Sequence, residues 1–239
     1  MLPIQDINPT RRFPIVNYIL IAINVIVFLT QLSMSEQQLN QVYLTQSVVP
    51  VLASRAPFAV ETLLDIVRIM FFHAGWAHLL GNMLYLWIFG DNVEDRLGRV
   101  LYLAFYLFCG FAASYAQVLI DPKSQIPLVG ASGAIAGVLG GYLVLYPGVQ
   151  VRALILLGYF SRLTEISALY VLGFWFVLQL FNGVTSLGPD TAEGGVAFFA
   201  HVGGFVVGVI LLFVFKLIFP QPPADDMRNM LYERRGRST

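Results

Sequence analysis

The chain has 239 residues, of which 57% are hydrophobic and only 12% are charged. Soluble domains are about 45–50% apolar and about 25% charged, so this composition excludes a water-soluble globule and predicts a membrane protein. The 14 basic and 14 acidic side chains give a formal net charge of zero, which leaves no basic surface for nucleic acid. The single cysteine, Cys109, excludes an internal disulfide and a paired-cysteine zinc site.

Six apolar segments approach the length of roughly 20 residues that a helix needs to cross a bilayer. They cover residues 15–32, 75–90, 100–120, 129–146, 166–181 and 195–219. The second segment is short and ends at a charged stretch that begins with Asp91. These segments predict an all-α polytopic membrane protein with six transmembrane helices, in which residues 15–219 form the membrane domain.

Two other segments are apolar but do not fit a span. Residues 33–72 form a long connection that is interrupted by prolines and charged residues, and we expect it to lie at the membrane interface. Residues 153–160 are apolar over only eight positions, so this segment is too short to cross. We expect it to rest against the membrane surface.

The distribution of Lys and Arg predicts the orientation, because cytoplasmic loops are enriched in these residues. With the N-terminus inside, eleven of them fall on the cytoplasmic side and three on the other. Both termini are then cytoplasmic, with residues 1–14 as a short N-terminal segment and 220–239 as a flexible tail. The loops over 33–72, 121–128 and 184–194 face outside. The N-terminal segment lacks a basic, Ser-rich presequence, which favours the plasma (inner) membrane over an organelle.

Polar side chains inside a span are costly, and they therefore point to function. His78 and Asn82 lie on the second predicted span, Ser132 on the fourth and His201 on the sixth. These spans run in the same direction, so the four side chains lie within about 4–11 Å of the outer helix ends. The sequence predicts one polar layer near the outer face. His73 precedes His78 by five residues and faces elsewhere on a helix, so we expect it to have a secondary part.

Small residues four positions apart predict that the fourth and sixth spans pack closely. They are Gly133, Gly137 and Gly141 on one span and Gly204 and Gly208 on the other. If these two glycine stripes face each other, the hydroxyl of Ser132 comes within hydrogen-bond reach of the His201 imidazole. This is the geometry of a nucleophile and its general base. His78, Asn82 and the backbone N–H groups at the start of the fourth span could then stabilise an oxyanion.

Each of these features also has a simpler interpretation. A Gly-Ala-Ser-Gly segment taken alone is more often a packing motif, and a single intramembrane histidine is more often a structural hydrogen-bond partner or a proton relay. The polar layer contains no carboxylate or cysteine, so we expect no metal site. The residues alone leave two functions open: a Ser/His hydrolase, and a non-catalytic membrane-helix binding or transport protein with a polar histidine layer.

Three motifs resemble those of the rhomboid intramembrane serine proteases. They are HAGWAHLLGN over residues 73–82, GASG over 130–133 and AHVGGFVVG over 200–208, in the family's order. The resemblance implies a rhomboid-like bundle in which Ser132 is the nucleophile and His201 the general base of a dyad. It implies an oxyanion hole formed by His78, Asn82 and the Ser132 backbone N–H, with Gly130 lining the substrate channel. The implied substrates are single-span transmembrane proteins, cleaved within membrane lipid near the outer leaflet without a cofactor or metal.

Two positions depart from the family's pattern. Many members carry an aromatic residue four positions after the serine, where this chain has Ala136. We expect Phe198, Phe199 or Tyr142 to pack on His201 instead. The first outer loop also lacks the Trp-Arg pair that some members carry, which leaves the anchoring of this loop in the membrane open.

A substrate helix must unwind before it can be cleaved, because its backbone carbonyls are all hydrogen-bonded. A gate is therefore expected. The fifth predicted span, with the glycine-rich loop over 184–194 as its flexible cap, is the segment that we expect to form it.

Overall fold

The computed structural model describes residues 1–157, 160–187 and 196–220. In this part of the chain there are nine helices and three strands. In chain order they are β1 (Leu2–Asp6), α1 (Ile15–Leu32), α2 (Glu36–Gln46), α3 (Pro50–Ala53), α4 (Val60–Ile69), α5 (Trp76–Leu97), α6 (Arg99–Ile120), α7 (Ser132–Leu145), β2 (Gln150–Leu157), β3 (Phe160–Ser167), α8 (Ala168–Thr185) and α9 (Phe198–Ile218). The long connection over residues 33–72 thus contains α2, α3 and α4, and its position relative to a membrane stays a prediction.

Each of the six predicted spans corresponds to one helix: α1, α5, α6, α7, α8 or α9. Four of them, α1, α6, α8 and α9, are long and apolar enough to cross a membrane. Helix α7 is apolar but has only 14 residues, and α5 has 22 residues but carries a charged C-terminal turn. A mainly helical membrane protein is confirmed, whereas the number of six spans stays a prediction.

The second predicted span ends at Gly90, but α5 continues to Leu97 because its charged last turns cap another helix. Glu94 is only 3% exposed. Its carboxylate accepts hydrogen bonds from the backbone N–H groups of Val16 at 3.1 Å and Asn17 at 2.7 Å. These N–H groups lie in the first turn of α1, where they have no partner within the helix. Glu94 therefore joins α5 to α1, and the charged stretch does not end α5.

The all-α prediction is wrong in one respect, because β1, β2 and β3 form an antiparallel sheet in that order. Most of the apolar segment that was expected to rest on the membrane surface belongs to β2. Val151 and Ala153 are fully buried in this strand, while the exposed Arg152 between them pairs with Glu165 of β3 at 3.0 Å. This alternation has the period of two that is typical of a strand. Strand β3 also includes Ile166 and Ser167, so α8 begins two residues later than predicted.

The N-terminal strand is fastened to the helices by the side chain of Asp6. Its Oδ2 accepts a hydrogen bond from the hydroxyl of Tyr142 on α7 at 2.6 Å and from Nδ2 of Asn92 on α5 at 3.1 Å. Burial raises the pKa of the Asp6 carboxyl to about 7, an effect that the hydrogen bond from Tyr142 partly opposes. The predicted segment 1–14 is therefore packed onto the helical bundle.

Helix α7 lies at the centre of the bundle, with eleven of its fourteen residues buried. It contacts α9 through backbone atoms, because a Cβ at Gly204 would overlap the carbonyl oxygen of Gly133 and one at Gly208 would overlap that of Gly137. The two helices thus pack closely, as the glycine spacing predicts, and Gly204 and Gly208 face Gly133 and Gly137. This contact brings the first turns of α7 and α9 together.

Two predicted segments fall partly or wholly outside the described residues. Helix α8 extends through the start of the loop predicted over 184–194, but residues 188–195 lie outside the described part of the chain. All but the first residue of the predicted tail over 220–239 also lies outside it.

Candidate active site

Ser132 is the first residue of α7, and the residues before it fix where the helix begins. The N–H of Gly130 donates a hydrogen bond to the carbonyl of Ile69 at 3.0 Å, which ties this segment to the end of α4. Gly130 has a φ of +131°, a conformation that favours glycine. A Cβ there would also lie 2.7 Å from Cε1 and Nε2 of His78. Gly130 is therefore needed both for its backbone angle and for the space that the His78 ring occupies.

His201 contacts Ser132 directly. Its Nε2 lies 2.7 Å from Oγ of Ser132, and the residue is 8% exposed in the first turn of α9. The N–H of the preceding residue, Ala200, donates to Oε1 of Gln117 on α6 at 3.3 Å. This bond satisfies one N–H of the first helical turn and helps to hold that turn in place. The structure thus brings together the hydroxyl and the imidazole that the sequence predicts to be partners.

Side chains from α8 and α9 surround the other side of the His201 ring. Oε1 of Gln179 lies 2.7 Å from Nδ1 of His201. The ring centroid of Trp175 lies 5.9 Å from that of the imidazole, and that of Phe198 lies 6.5 Å away at 89°. Among the residues that the structure describes, Ser132 and Gln179 are the hydrogen-bond partners of this ring.

One of the three aromatic residues expected to replace the missing side chain at Ala136 does contact His201, namely Phe198. This contact meets the expectation, and the other two candidates pack elsewhere. Tyr142 packs on Phe89 and Tyr146 and donates its hydroxyl to a carboxylate of β1. The ring of Phe199 lies beside Gly183 of α8.

The sequence analysis missed Trp175 and Gln179, although a signal was present. Gln179 is the one amide side chain within residues 166–181, and a polar residue inside an apolar span is costly unless it has a partner. Trp175 precedes it by four residues, so the two side chains share a face of α8. Gln117, which caps α9, was also missed.

His78 and Asn82 lie on α5, where their spacing of four residues places them on one face. The His78 ring lies against Gly130, two residues before Ser132. Asn82 is 8% exposed, and its Nδ2 forms no hydrogen bond with any residue that the structure describes. A buried amide without a partner is costly and is available to a bound group.

His73 lies behind His78. It is 1% exposed, and the two rings make an edge-to-face contact at 5.1 Å. The backbone of His73 is held by Gln31, whose Oε1 accepts its N–H at 3.1 Å, and by Tyr43, whose hydroxyl donates to its carbonyl at 3.1 Å. The part that His73 plays at the site stays a prediction.

The donors at this site are a hydroxyl, imidazoles and amides. Within residues 1–157, 160–187 and 196–220, no group of three or more His, Cys, Asp or Glu side chains is arranged to hold a metal ion. Glu193, the carboxylate nearest to His201 in sequence, lies outside the described residues.

The chain is similar to one protein family and to several known proteins. The family model of the Rhomboid domain matches residues 60–217, more than half of the chain. RHOMBOID-like protein 6, mitochondrial, from Arabidopsis thaliana is 33% identical over 174 residues, which are 72% of this chain and 50% of the relative. Rhomboid-like protein 11, chloroplastic, from the same plant is 30% identical over 167 residues, or 67% of this chain and 55% of the relative. Rhomboid protease GluP from Bacillus subtilis is 31% identical over 136 residues, or 57% of this chain and 23% of the relative.

This chain spans about half the length of the two plant relatives. One of the plant relatives is named mitochondrial and the other chloroplastic, whereas the third relative is bacterial. The expected location in the plasma membrane therefore stays a prediction. The match over 60–217 contains all of the site residues described above. The chain belongs to the rhomboid family.

Proposed function

We propose that this chain is an intramembrane serine endopeptidase that cleaves single-span membrane proteins near the outer leaflet. Ser132 is the nucleophile and His201 the general base. The observation that carries the proposal is the distance of 2.7 Å between Ser132 Oγ and His201 Nε2, which joins two helices at a buried position. A serine hydroxyl becomes an effective nucleophile when a neutral imidazole accepts its proton.

The first half of the reaction follows from this contact. Oγ of Ser132 attacks the scissile carbonyl while its proton passes to Nε2 of His201, and a tetrahedral intermediate with a negative oxygen forms. The unpartnered amide of Asn82, the His78 ring and the Ser132 backbone N–H are the donors for this oxygen. His201 then gives its proton to the leaving amine, and an acyl-enzyme remains.

The second half reverses the roles with water. His201 takes a proton from a water molecule, which attacks the ester carbon of the acyl-enzyme. The same donors stabilise the second oxyanion. Collapse of this intermediate returns the proton to Ser132 Oγ and releases the new carboxyl end of the substrate.

The direction of the helices supports a site near one membrane face. His78, Ser132 and His201 lie in the first turns of α5, α7 and α9, so all three helices start on the side that carries the site. The distribution of basic residues assigns this side to the exterior and both termini to the cytoplasm. This orientation includes six crossings, with α5 and the short α7 among them.

Helix α8 is the proposed route of substrate entry. It is the least buried of the four long apolar helices. It packs on α9 through Phe176 and Trp175, whose ring centroids lie 4.6 and 6.1 Å from that of Phe205. Displacement of α8 would expose the His201 side of the site to a helix in the bilayer.

The test is cleavage of single-span model substrates by the purified protein in liposomes. Ser132→Ala and His201→Ala are each expected to abolish cleavage without loss of folding. Ser114→Ala is the matched control, because it removes another buried serine hydroxyl, one that donates to the Gly110 carbonyl of its own helix. This control is expected to cleave at the wild-type rate.

Two outcomes would contradict the proposal. Cleavage that survives both substitutions would place the active site elsewhere. A wild-type protein that is folded but cleaves none of several substrates would instead favour the non-catalytic binding or transport function.

A further inference from the structure

We infer that Gln179 is a positioning residue, which holds the proton of His201 on Nδ1 and thereby keeps Nε2 free to accept the proton of Ser132. The inference rests on the proposed function of the Ser132 and His201 pair. It adds a third residue to that pair, one that lies on a different helix from both.

The two short contacts of the imidazole carry the first step. A neutral imidazole has one N–H donor and one acceptor nitrogen, so its two nitrogens must play opposite roles. Nε2 faces the Ser132 hydroxyl at 2.7 Å and must be the acceptor if His201 is a base. Nδ1 is then the donor, and Oε1 of Gln179 at 2.7 Å is the acceptor that it meets.

The chemistry of the amide explains why a glutamine can fix the tautomer of His201. In Ser-His-Asp enzymes a carboxylate holds the imidazole in the required tautomer and also stabilises the imidazolium. The Gln179 oxygen is neutral, so it can select the tautomer without placing a fixed negative charge among apolar helices. The Gln179 amide is only partly buried, and this contact gives its oxygen a partner inside the span.

Packing fixes the direction of the Gln179 side chain. Trp175, one helical turn before Gln179, lies at 5.9 Å from the His201 ring, so the same face of α8 supplies both the hydrogen bond and the ring contact. Phe198 covers the ring edge-on from α9. The imidazole is therefore held by rings on its sides and by one acceptor at Nδ1.

The opposite assignment is the competing structure. If the Gln179 amide is turned so that its NH₂ group donates to Nδ1, then Nε2 carries the proton and Ser132 is the acceptor. The same heavy-atom distances would result, but His201 could not act as a base. Only a measurement of the proton position separates the two.

The experiment is ¹⁵N NMR of histidine-labelled protein in lipid, which distinguishes a protonated from an unprotonated ring nitrogen. His201→Ala identifies the His201 signals. The wild type is expected to show protonated Nδ1 and unprotonated Nε2. Gln179→Met, which keeps the side-chain length but removes the amide oxygen, is expected to lose this single pattern. In the cleavage assay it should lower kcat about tenfold or more with KM nearly unchanged, because a hydrogen bond of about 1.4 kcal/mol corresponds to a factor of ten.

Asn182→Leu is the matched control, since it removes an amide from the same helix one turn away. It is expected to keep the wild-type tautomer and kcat, and thermal unfolding of both variants checks that they are folded. A protonated Nε2 in the wild type, or an unchanged pattern and kcat in Gln179→Met, would overturn the inference. The spectrum is read whether or not the protein cleaves, so a failure of the proposed protease function is distinguished from a failure of this assignment.

Discussion

The close contact between α7 and α9 makes a specific prediction for Gly204→Ala. Gly204 lies three residues after His201, and Gly133 directly follows Ser132. A Cβ at position 204 would overlap the carbonyl oxygen of Gly133. Carbon and carbonyl oxygen approach to about 3.3–3.6 Å, so we expect the two helices to separate locally by about 1 Å. The distance from Ser132 Oγ to His201 Nε2 would grow from 2.7 Å to about 3.7 Å, at which no hydrogen bond forms.

The expected cost can be stated for both activity and stability. A misplacement of about 1 Å at reacting groups lowers the rate by about 10²-fold, or about 2.7 kcal/mol. Overpacking of a buried contact destabilises by about 1–3 kcal/mol. Gly204→Ala should therefore cleave about a hundredfold more slowly in liposomes and unfold at a lower temperature.

Gly173→Ala is the matched control. It adds the same methyl group to a glycine inside α8, where no described atom outside the local helix backbone lies within 4 Å of the added carbon. This variant is expected to cleave within about twofold of the wild type and to gain up to about 1 kcal/mol in helix propensity. The reasoning is refuted if Gly204→Ala cleaves at the wild-type rate with an unchanged unfolding temperature, or if both alanine variants lose activity equally.

Three further predictions concern other parts of the molecule. Because burial raises the pKa of Asp6 to about 7, the folded state binds more protons than the unfolded one between about pH 4 and pH 7. Stability should thus fall as pH rises from about 4 to about 7 and level off above that, measured as the unfolding temperature in detergent. Phe176→Ala removes the ring stacked on α9 at 4.6 Å and should raise the cleavage rate by easing displacement of α8. In right-side-out vesicles, a membrane-impermeant maleimide should label Lys123→Cys but not Arg12→Cys, with little background because Cys109 is 0% exposed.

Each of these has an outcome that contradicts it. Asp6→Asn should reduce the dependence of stability on pH. If the dependence is unchanged in this variant, it arises from other titratable groups. Phe174→Ala removes an exposed ring of α8 and is the control for Phe176→Ala; equal or lower turnover in the folded Phe176 variant would count against entry beside α8. Labelling at position 12 alone would reverse the proposed orientation.

The helical part of the fold could be predicted because it depends on local patterns. Apolar runs of span length predicted the bounds of α1 as observed, and they predicted the ends of α6 and α9 to within a few residues of the observed ones. Glycines at a spacing of four indicated the contact between α7 and α9, since only small residues allow backbones to approach so closely. That contact, together with the common depth of Ser132 and His201, explains why the pair could be predicted from sequence.

The parts that could not be predicted depend on partners far away in sequence. The charged end of α5 looks like the end of a span, and only the structure shows that Glu94 binds N–H groups 77 and 78 positions earlier. The apolar run in β2 is part of a strand, and its partner β1 lies near the N-terminus, far away in sequence. Gln179 lies on α8, which carries no histidine or serine of the predicted polar layer, so only the fold brings its amide to His201.

Covalent labelling tests the central claim most directly. A fluorophosphonate reacts with a serine whose proton is accepted by a neighbouring base, and mass spectrometry then locates the modified residue. The account predicts a single adduct on Ser132 in the wild type and none in folded His201→Ala, because the hydroxyl there lacks the imidazole at 2.7 Å. An adduct on another serine, or labelling of Ser132 that persists in His201→Ala, would contradict it.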